Sequence, residues 1–144
     1  MRSQEFQIQE GDCGDYWGVA GGSFEIPATP NSEQLLQFDP RGTVHVFNEK
    51  SPDGRRCVKH PDGEKPTGQW NRIDLYCLGD TSVHVVNGVT TMVLYKSRQL
   101  EGGQLLPLKR GKFQIQSEGS EIFFRDMKWQ PIGEIPSDVL VAAK

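Results

Sequence analysis

Along most of the chain apolar and polar residues alternate with a period of two, the pattern of half-buried β-strands. In Glu5–Gln9, Phe6 and Ile8 fall on one side and Glu5, Gln7 and Gln9 on the other. Tyr16–Ala20 and Ser23–Ile26 predict two strands around Gly21-Gly22. Thr43–Asn48 sets Val44 and Val46 against His45 and Phe47, and Asn71–Leu78 sets Ile73, Leu75 and Cys77 against Arg72, Asp74 and Tyr76. Ser82–Val86 sets Val83 and Val85 against His84, which turns both His45 and His84 away from the core. Asn87-Gly88 then predicts a tight hairpin, because both central residues of a type I′ turn need positive φ. Val89–Tyr95 is the returning strand, and Lys112–Gln116 and Glu121–Met127 bring the set to eight or nine. A helical start is legible only at Asn31–Phe38, where Asn31 or Ser32 would cap a turn between Pro30 and Pro40; a strand edge or a loop fits the same residues.

Two long loops, Glu49–Gly68 and Lys96–Gly111, separate the strands. Loops of that length in a compact domain are usually functional or mobile. Many short antiparallel strands with Gly- and Pro-rich turns predict an all-β sandwich or jelly roll. The 144 residues suffice for one core. The domain is expected over residues 1–132, with Gly133–Lys144 as a loose tail.

Composition narrows the function. The net charge is −3 and Arg55-Arg56 is only a pair within a loop, so no nucleic-acid partner is expected. No apolar run approaches the ~20 residues of a membrane span, and the first residues do not resemble a signal peptide. The three cysteines have no Cys-x-x-Cys spacing and read as free thiols, although one pair could close in an oxidising compartment. No metal-ligand spacing is present, and neither a metal nor another cofactor is expected.

The polar residues suggest sugar. The strands Glu5–Gln9 and Lys112–Gln116 both read Phe-Gln-Ile-Gln. Placed in one sheet, they would bury Phe and Ile and present Glu5, Gln7, Gln9, Gln114 and Gln116 on a shared polar face. Amides and carboxylates of this kind donate and accept toward hydroxyls, although a solvated sheet face is the plainer explanation. Tyr16, Trp17, Trp70, Tyr76 and Tyr95 offer rings for stacking or for core filling. Trp70 and Tyr76 share the side of Arg72 and Asp74 and are the better exposed candidates. Arg125, inside Ile122-Phe123-Phe124-Arg125-Asp126, needs an acceptor: a substrate oxygen, or a salt bridge with Glu121 or Asp126. A pair of carboxylates such as Glu5 with Glu118 or Glu121 is the usual equipment of a glycosidase.

A set of segments in order then resembles a known family. Glu5-Phe6-Gln7-Ile8-Gln9-Glu10-Gly11-Asp12 with Gly14-Asp15-Tyr16-Trp17 is the first. Glu64-Lys65-Pro66-Thr67-Gly68-Gln69-Trp70-Asn71 runs into Asp74-Leu75-Tyr76, and Val85-Val86-Asn87-Gly88-Val89 follows. Gly111–Gly119 and Glu121–Met127 close the series. Together they resemble the 3-keto-disaccharide hydrolases. The resemblance implies an antiparallel jelly-roll sandwich of the concanavalin-A-like lectin and glucanase type, with a concave sugar-facing sheet. It also implies that this chain corresponds to the last two-thirds of such a domain, an incomplete sandwich with open edges available for pairing. A periplasmic or extracellular location is implied as well.

The implied chemistry starts from a sugar oxidised at C3, whose C2 proton is acidified. A base removes that proton, the glycosidic oxygen leaves C1, and water adds afterwards. On this resemblance Glu5 or a histidine (His45, His84) is the base and Arg125 the oxyanion partner. The candidate catalytic set is Glu5, His84 and Arg125. Gln7, Gln9, His45, Trp70, Tyr76, Tyr95, Gln114 and Gln116 are the candidate carbohydrate contacts. A lectin-like module without turnover, or an inactive fragment, is the alternative.

Overall fold

The computed structural model describes residues 3–117 and 119–140. Ten strands and one short helix are present among them: β1 (Ser3–Phe6), β2 (Tyr16–Val19), β3 (Gly22–Pro30), β4 (Leu36–Phe38), β5 (Thr43–Phe47), β6 (Arg56–Cys57), β7 (Ile73–Leu78), β8 (Thr81–Val86), β9 (Val89–Glu101), β10 (Gln104–Pro107) and α1 (Ser137–Leu140). A small antiparallel sheet has the order β1-β2-β6. A larger one runs β4-β3-β9-β8-β7, with β5 added on β3 and β10 on β9. The two are packed as a β-sandwich, the fold the alternation predicts.

Most of the core lies between the sheets, and a smaller part, with Val83 and Val93, lies on the opposite face of the large sheet. Tyr16 and Cys57 come from the small sheet, and Phe24, Ile26, Phe47, Met92 and Leu94 from the large one. Tyr16 meets Phe24 edge to face at 5.4 Å. Each side chain of this size contributes about 1.5–3 kcal/mol through burial. Asn87 and Gly88 take φ of 52° and 81°, as the type I′ turn joining β8 to β9 requires. Gly18 on β2 is required for a different reason: a Cβ there would collide with the carbonyl oxygen of Gly22.

Several expectations are corrected. On β5 the buried side is that of Phe47, not that of Val44 and Val46: Phe47 is fully buried and Val44 is 57% exposed. The register explains this, since Phe47 pairs with Phe24 and His45 with Ile26, which puts both on the apolar side of β3. On β7, Leu75 is exposed and Tyr76 packs on the core. His84 does not face solvent but is 3% exposed. Strand β8 is central and covered on both faces, so alternation there separates two interiors rather than interior from water.

Most of the Lys96–Gly111 loop is a hairpin, with β9 continuing to Glu101 and turning through Gly102-Gly103 into β10. Asn31–Phe38 forms no helix. The Asn31 side chain accepts the N–H groups of Glu33 and Leu35, turning the chain from β3 into β4. Described residues 133–140 are not loose either: Ile135 and Val139 pack on the core, and the Thr90 hydroxyl donates to the Val139 carbonyl at 2.8 Å.

The largest departure concerns 112–116 and 121–127. Neither segment joins a ladder among the described residues. Phe113, Ile115, Phe123 and Met127 are 57%, 55%, 68% and 70% exposed. The two Phe-Gln-Ile-Gln segments therefore do not share a sheet. Phe113 instead rests edge-on against Trp129 at 4.7 Å.

Candidate active site

Alternation on the small sheet decides what it shows outward. Phe6 turns inward and stacks on the His84 ring, with centroids 4.0 Å apart. Tyr16 and Cys57 also turn inward. Their neighbours Glu5, Trp17 and Arg56 must then face out. They stand in one row, because Glu5 pairs with Trp17 and Trp17 with Arg56.

Charge collects around this row. The guanidinium carbons of Arg55 and Arg56 lie 5.2 and 5.1 Å from the centre of the Trp17 ring, within cation–π range. Arg56 donates from Nε to Asp15 Oδ2 and from Nη2 to Asp12 Oδ1, both at 2.8 Å. Asp15 is fully buried and also accepts the Lys59 backbone N–H at 2.9 Å. Burial pushes the Asp15 carboxyl above its ordinary range, against the pull of the Lys59 N–H and of Arg56. Arg56 is therefore anchored, whereas Arg55 is half exposed and only 3.8 Å from Glu49.

The loop after β1 is clamped from below. Glu64 accepts the N–H groups of Gly11 and Cys13, and Lys59 Nζ reaches its Oε2 at 2.7 Å. Burial works against the Lys59 charge, but hydrogen bonds to Glu64 and Asp62 outweigh it and raise the pKa. Burial, with Glu64 second, pushes the Cys13 thiol up to about 12, which makes it a poor nucleophile.

Beyond Arg56 the row opens into a cleft of about 390 Å³ lined by Gln34, Leu36, Asp53, Arg55, Arg56 and Val58 among others. Asp53 Oδ1 is 3.1 Å from His45 Nδ1. The site thus has carboxylates and cations beside a solvent-accessible hollow, the arrangement that proton transfer to and from a polar ligand needs.

Residues 1–130 match the 3-keto-alpha-glucoside-1,2-lyase-like domain. The chain belongs to that family. No curated protein and no solved structure matches it. The family is carbohydrate-related and hydrolase-like, and its concanavalin-A-like sandwich agrees with the two packed sheets.

Within this 3-keto-glucoside lyase-like domain the remaining candidates are dispersed. His84 lies under Phe6, with Nδ1 3.0 Å from the Gly14 carbonyl oxygen. Burial lowers its pKa from 6.5 to about 4, and Phe6 covers it from the small-sheet side. Gln7 leaves the strand, and its Oε1 accepts the N–H groups of Ile8 and Gln9, closing a turn. Gln9 is exposed on that loop, and Gln114 and Gln116 are exposed outside either sheet.

Trp70 and Arg125 do come together, with the guanidinium 4.2 Å from the ring centre and Asp126 at 3.8 Å. The loop carrying Trp70 is tied down by a hydrogen bond from Thr67 to Glu10. Tyr76 and Tyr95 lie on the far face of the large sheet. Tyr76 pairs with Val83 and Val83 with Val93, so these three share a face with Tyr95, opposite to that of His84. Tyr95 lines a separate hollow with Leu78, Thr81, Ile135 and Leu140. Glu118 lies outside the described residues.

Sequence reading missed Arg55, Arg56 and Asp53, which look like ordinary loop residues. The only available signal was the two adjacent arginines, and their partner Trp17 lies some forty residues earlier.

Proposed function

We propose that this domain cleaves 3-keto-glycosides by elimination across C1 and C2, at the outward row of the small sheet. The observation that carries the reading is the register that sets Glu5, Trp17 and Arg56 side by side, with Arg55 over the same indole. Glu5 takes the C2 proton of the oxidised sugar. The electron pair passes to the C3 oxygen as an enolate, which the Arg55 guanidinium holds. The enolate reforms the ketone, a C1–C2 double bond forms, and the C1–O bond breaks to release the second sugar as an alcohol once protonated. Water then adds across the double bond. Trp17 fixes the two guanidiniums, while Trp70 with Arg125 contacts the outer part of the substrate. Neither His84 nor the far-face tyrosines take part.

Binding without turnover is the second reading. It is favoured by the engagement of Arg56 with two carboxylates, which leaves a single cation for the enolate. Cleavage of a chromogenic 3-keto-glucoside, beside the unoxidised glucoside, separates the two. Turnover of the keto sugar alone is expected, with a kinetic isotope effect on C2 deuteration and a loss of about 10²–10⁴-fold in kcat for Glu5→Gln. An unaltered rate in Glu5→Gln would remove Glu5 as the base.

A further inference from the structure

Elimination leaves one chemical need unmet on the outward row. The departing alkoxide must receive a proton, and Glu5 removes one rather than supplying it. The cleft beyond Arg56 holds a group suited to this. Asp53 lines it, and His45 stands against Asp53 with Nδ1 3.1 Å from Oδ1. Both side chains are partly shielded, at 23% exposure for His45 and 30% for Asp53. The cleft adjoins the row, because Arg55 and Arg56 both line the hollow and both lie over Trp17.

The local fold holds the pair in place. His45 is on β5, opposite Ile26, with Phe47 two residues on anchoring the strand in the core. Asp53 sits in the turn after β5, where its N–H donates to the Ser51 hydroxyl and Gly54 follows with φ of 82°. A strand residue and a turn residue are thus brought together by the reversal between β5 and β6. A partly exposed contact between two side chains near the surface contributes on the order of 1 kcal/mol to stability. The fold therefore does not depend on this one, and the pair can be altered without unfolding the chain.

The geometry points to the His45–Asp53 pair as the acid of this reaction: a proton shared between the imidazole and the carboxylate is delivered to the glycosidic oxygen of a sugar leaving group seated in the cleft. This rests on the elimination proposed above. In the balanced step, Glu5 gains the C2 proton, the C1–O bond breaks with its electrons on oxygen, and the pair gives that oxygen a proton to form a neutral alcohol. Solvent then takes the proton from Glu5 and returns one to the pair, so that both groups reset. Gln34, also lining the cleft, offers an amide donor to the hydroxyls of the departing sugar. The ligand class is a polyhydroxylated leaving group, which needs protonation, rather than a phenol, which leaves as an anion.

The test compares two 3-keto-glucosides that differ only in the leaving group, 4-nitrophenol or methanol. The wild-type chain, Asp53→Asn and His45→Gln are assayed on both, with thermal melts as a control for folding. The expected result is a ratio of kcat/KM for the methyl over the nitrophenyl glycoside that falls about 100-fold in each variant, the usual scale for loss of a general acid. A merely structural role would lower both substrates equally and leave the ratio unchanged, which would overturn the assignment. Retained methyl glucoside cleavage in both variants would also overturn it. The two variants guard against one failing to fold. If the wild type cleaves neither keto sugar, the elimination itself is wrong, an outcome distinct from an active wild type whose leaving-group ratio ignores His45 and Asp53.

Discussion

His84 makes the stability of this fold dependent on pH, in a window that the burial of one ring defines. Its imidazole is 3% exposed, stacked beneath Phe6 and tied through Nδ1 to the Gly14 carbonyl. Burial lowers its pKa from 6.5 to about 4, and the bond to Gly14 opposes this only in part. Between these values the unfolded chain binds a proton that the folded one refuses. The contribution of His84 is therefore fully present above pH 6.5 and is lost as the pH falls toward 4. At 1.36 kcal/mol per pKa unit the loss approaches about 3 kcal/mol, a large share of the 5–15 kcal/mol typical of a domain. The measurement is urea unfolding at intervals from pH 7.5 to 4 for the wild type and for His84→Gln, which removes the titration and keeps a donor for Gly14. The carboxylates titrate in both chains and cancel in the difference. The difference in stability between the two should shift by about 3 kcal/mol across the window, in favour of the variant at low pH. Parallel curves, or an NMR titration of His84 near 6.5, would refute the reasoning.

Two further outcomes test the packing. Gly18→Ala should cost at least about 2 kcal/mol in urea unfolding, since its Cβ would meet the Gly22 carbonyl and the Tyr16 hydroxyl, and backbone cannot yield cheaply. Unchanged stability would mean that β2 and β3 do not approach so closely. A thiol reagent at pH 8 should label Cys77 first, with Cys13 and Cys57 reacting only on unfolding, because burial raises both buried thiols and excludes the reagent. Equal rates at all three would contradict the buried positions.

How much of the fold could be read from sequence depended on whether an alternating segment had something to alternate against. Val89–Tyr95 and the Asn87-Gly88 turn were legible because local chemistry alone specifies them: φ of 52° and 81° suit Asn-Gly and few other pairs. The continuation of β9 to Glu101 was hidden by Gly102-Gly103, which reads as loop and is in fact the tip of a hairpin. Lys112–Gln116 has the better strand pattern, yet it lies outside both sheets and leaves Phe113 57% exposed. Period-two alternation states only that a strand would have two unlike faces. It does not supply a neighbour to bond with or a sheet to cover the apolar side.

The site shows the same limit from the other direction. His45 and His84 look alike in sequence, each set between valines. In β8 both faces are covered, so His84 is sealed under Phe6 and loses its claim to proton transfer with a sugar. In β5 the strand turns toward β6 a few residues on, so the same parity delivers His45 to Asp53 at the wall of a cleft. What separates a sealed histidine from an accessible one is the layer above it, which for His84 is the ring of Phe6 from the other sheet. Glu5 was legible because β1 is short and covered on one face only, where one turn of alternation suffices to place it outward. Arg55 and Arg56 were not, since a guanidinium in a loop acquires meaning only when the loop is folded across an indole on another strand. The candidates most easily recognised in this chain are thus those whose environment is local, and the ones that would complete the proposed chemistry are brought in by loops folded onto other strands.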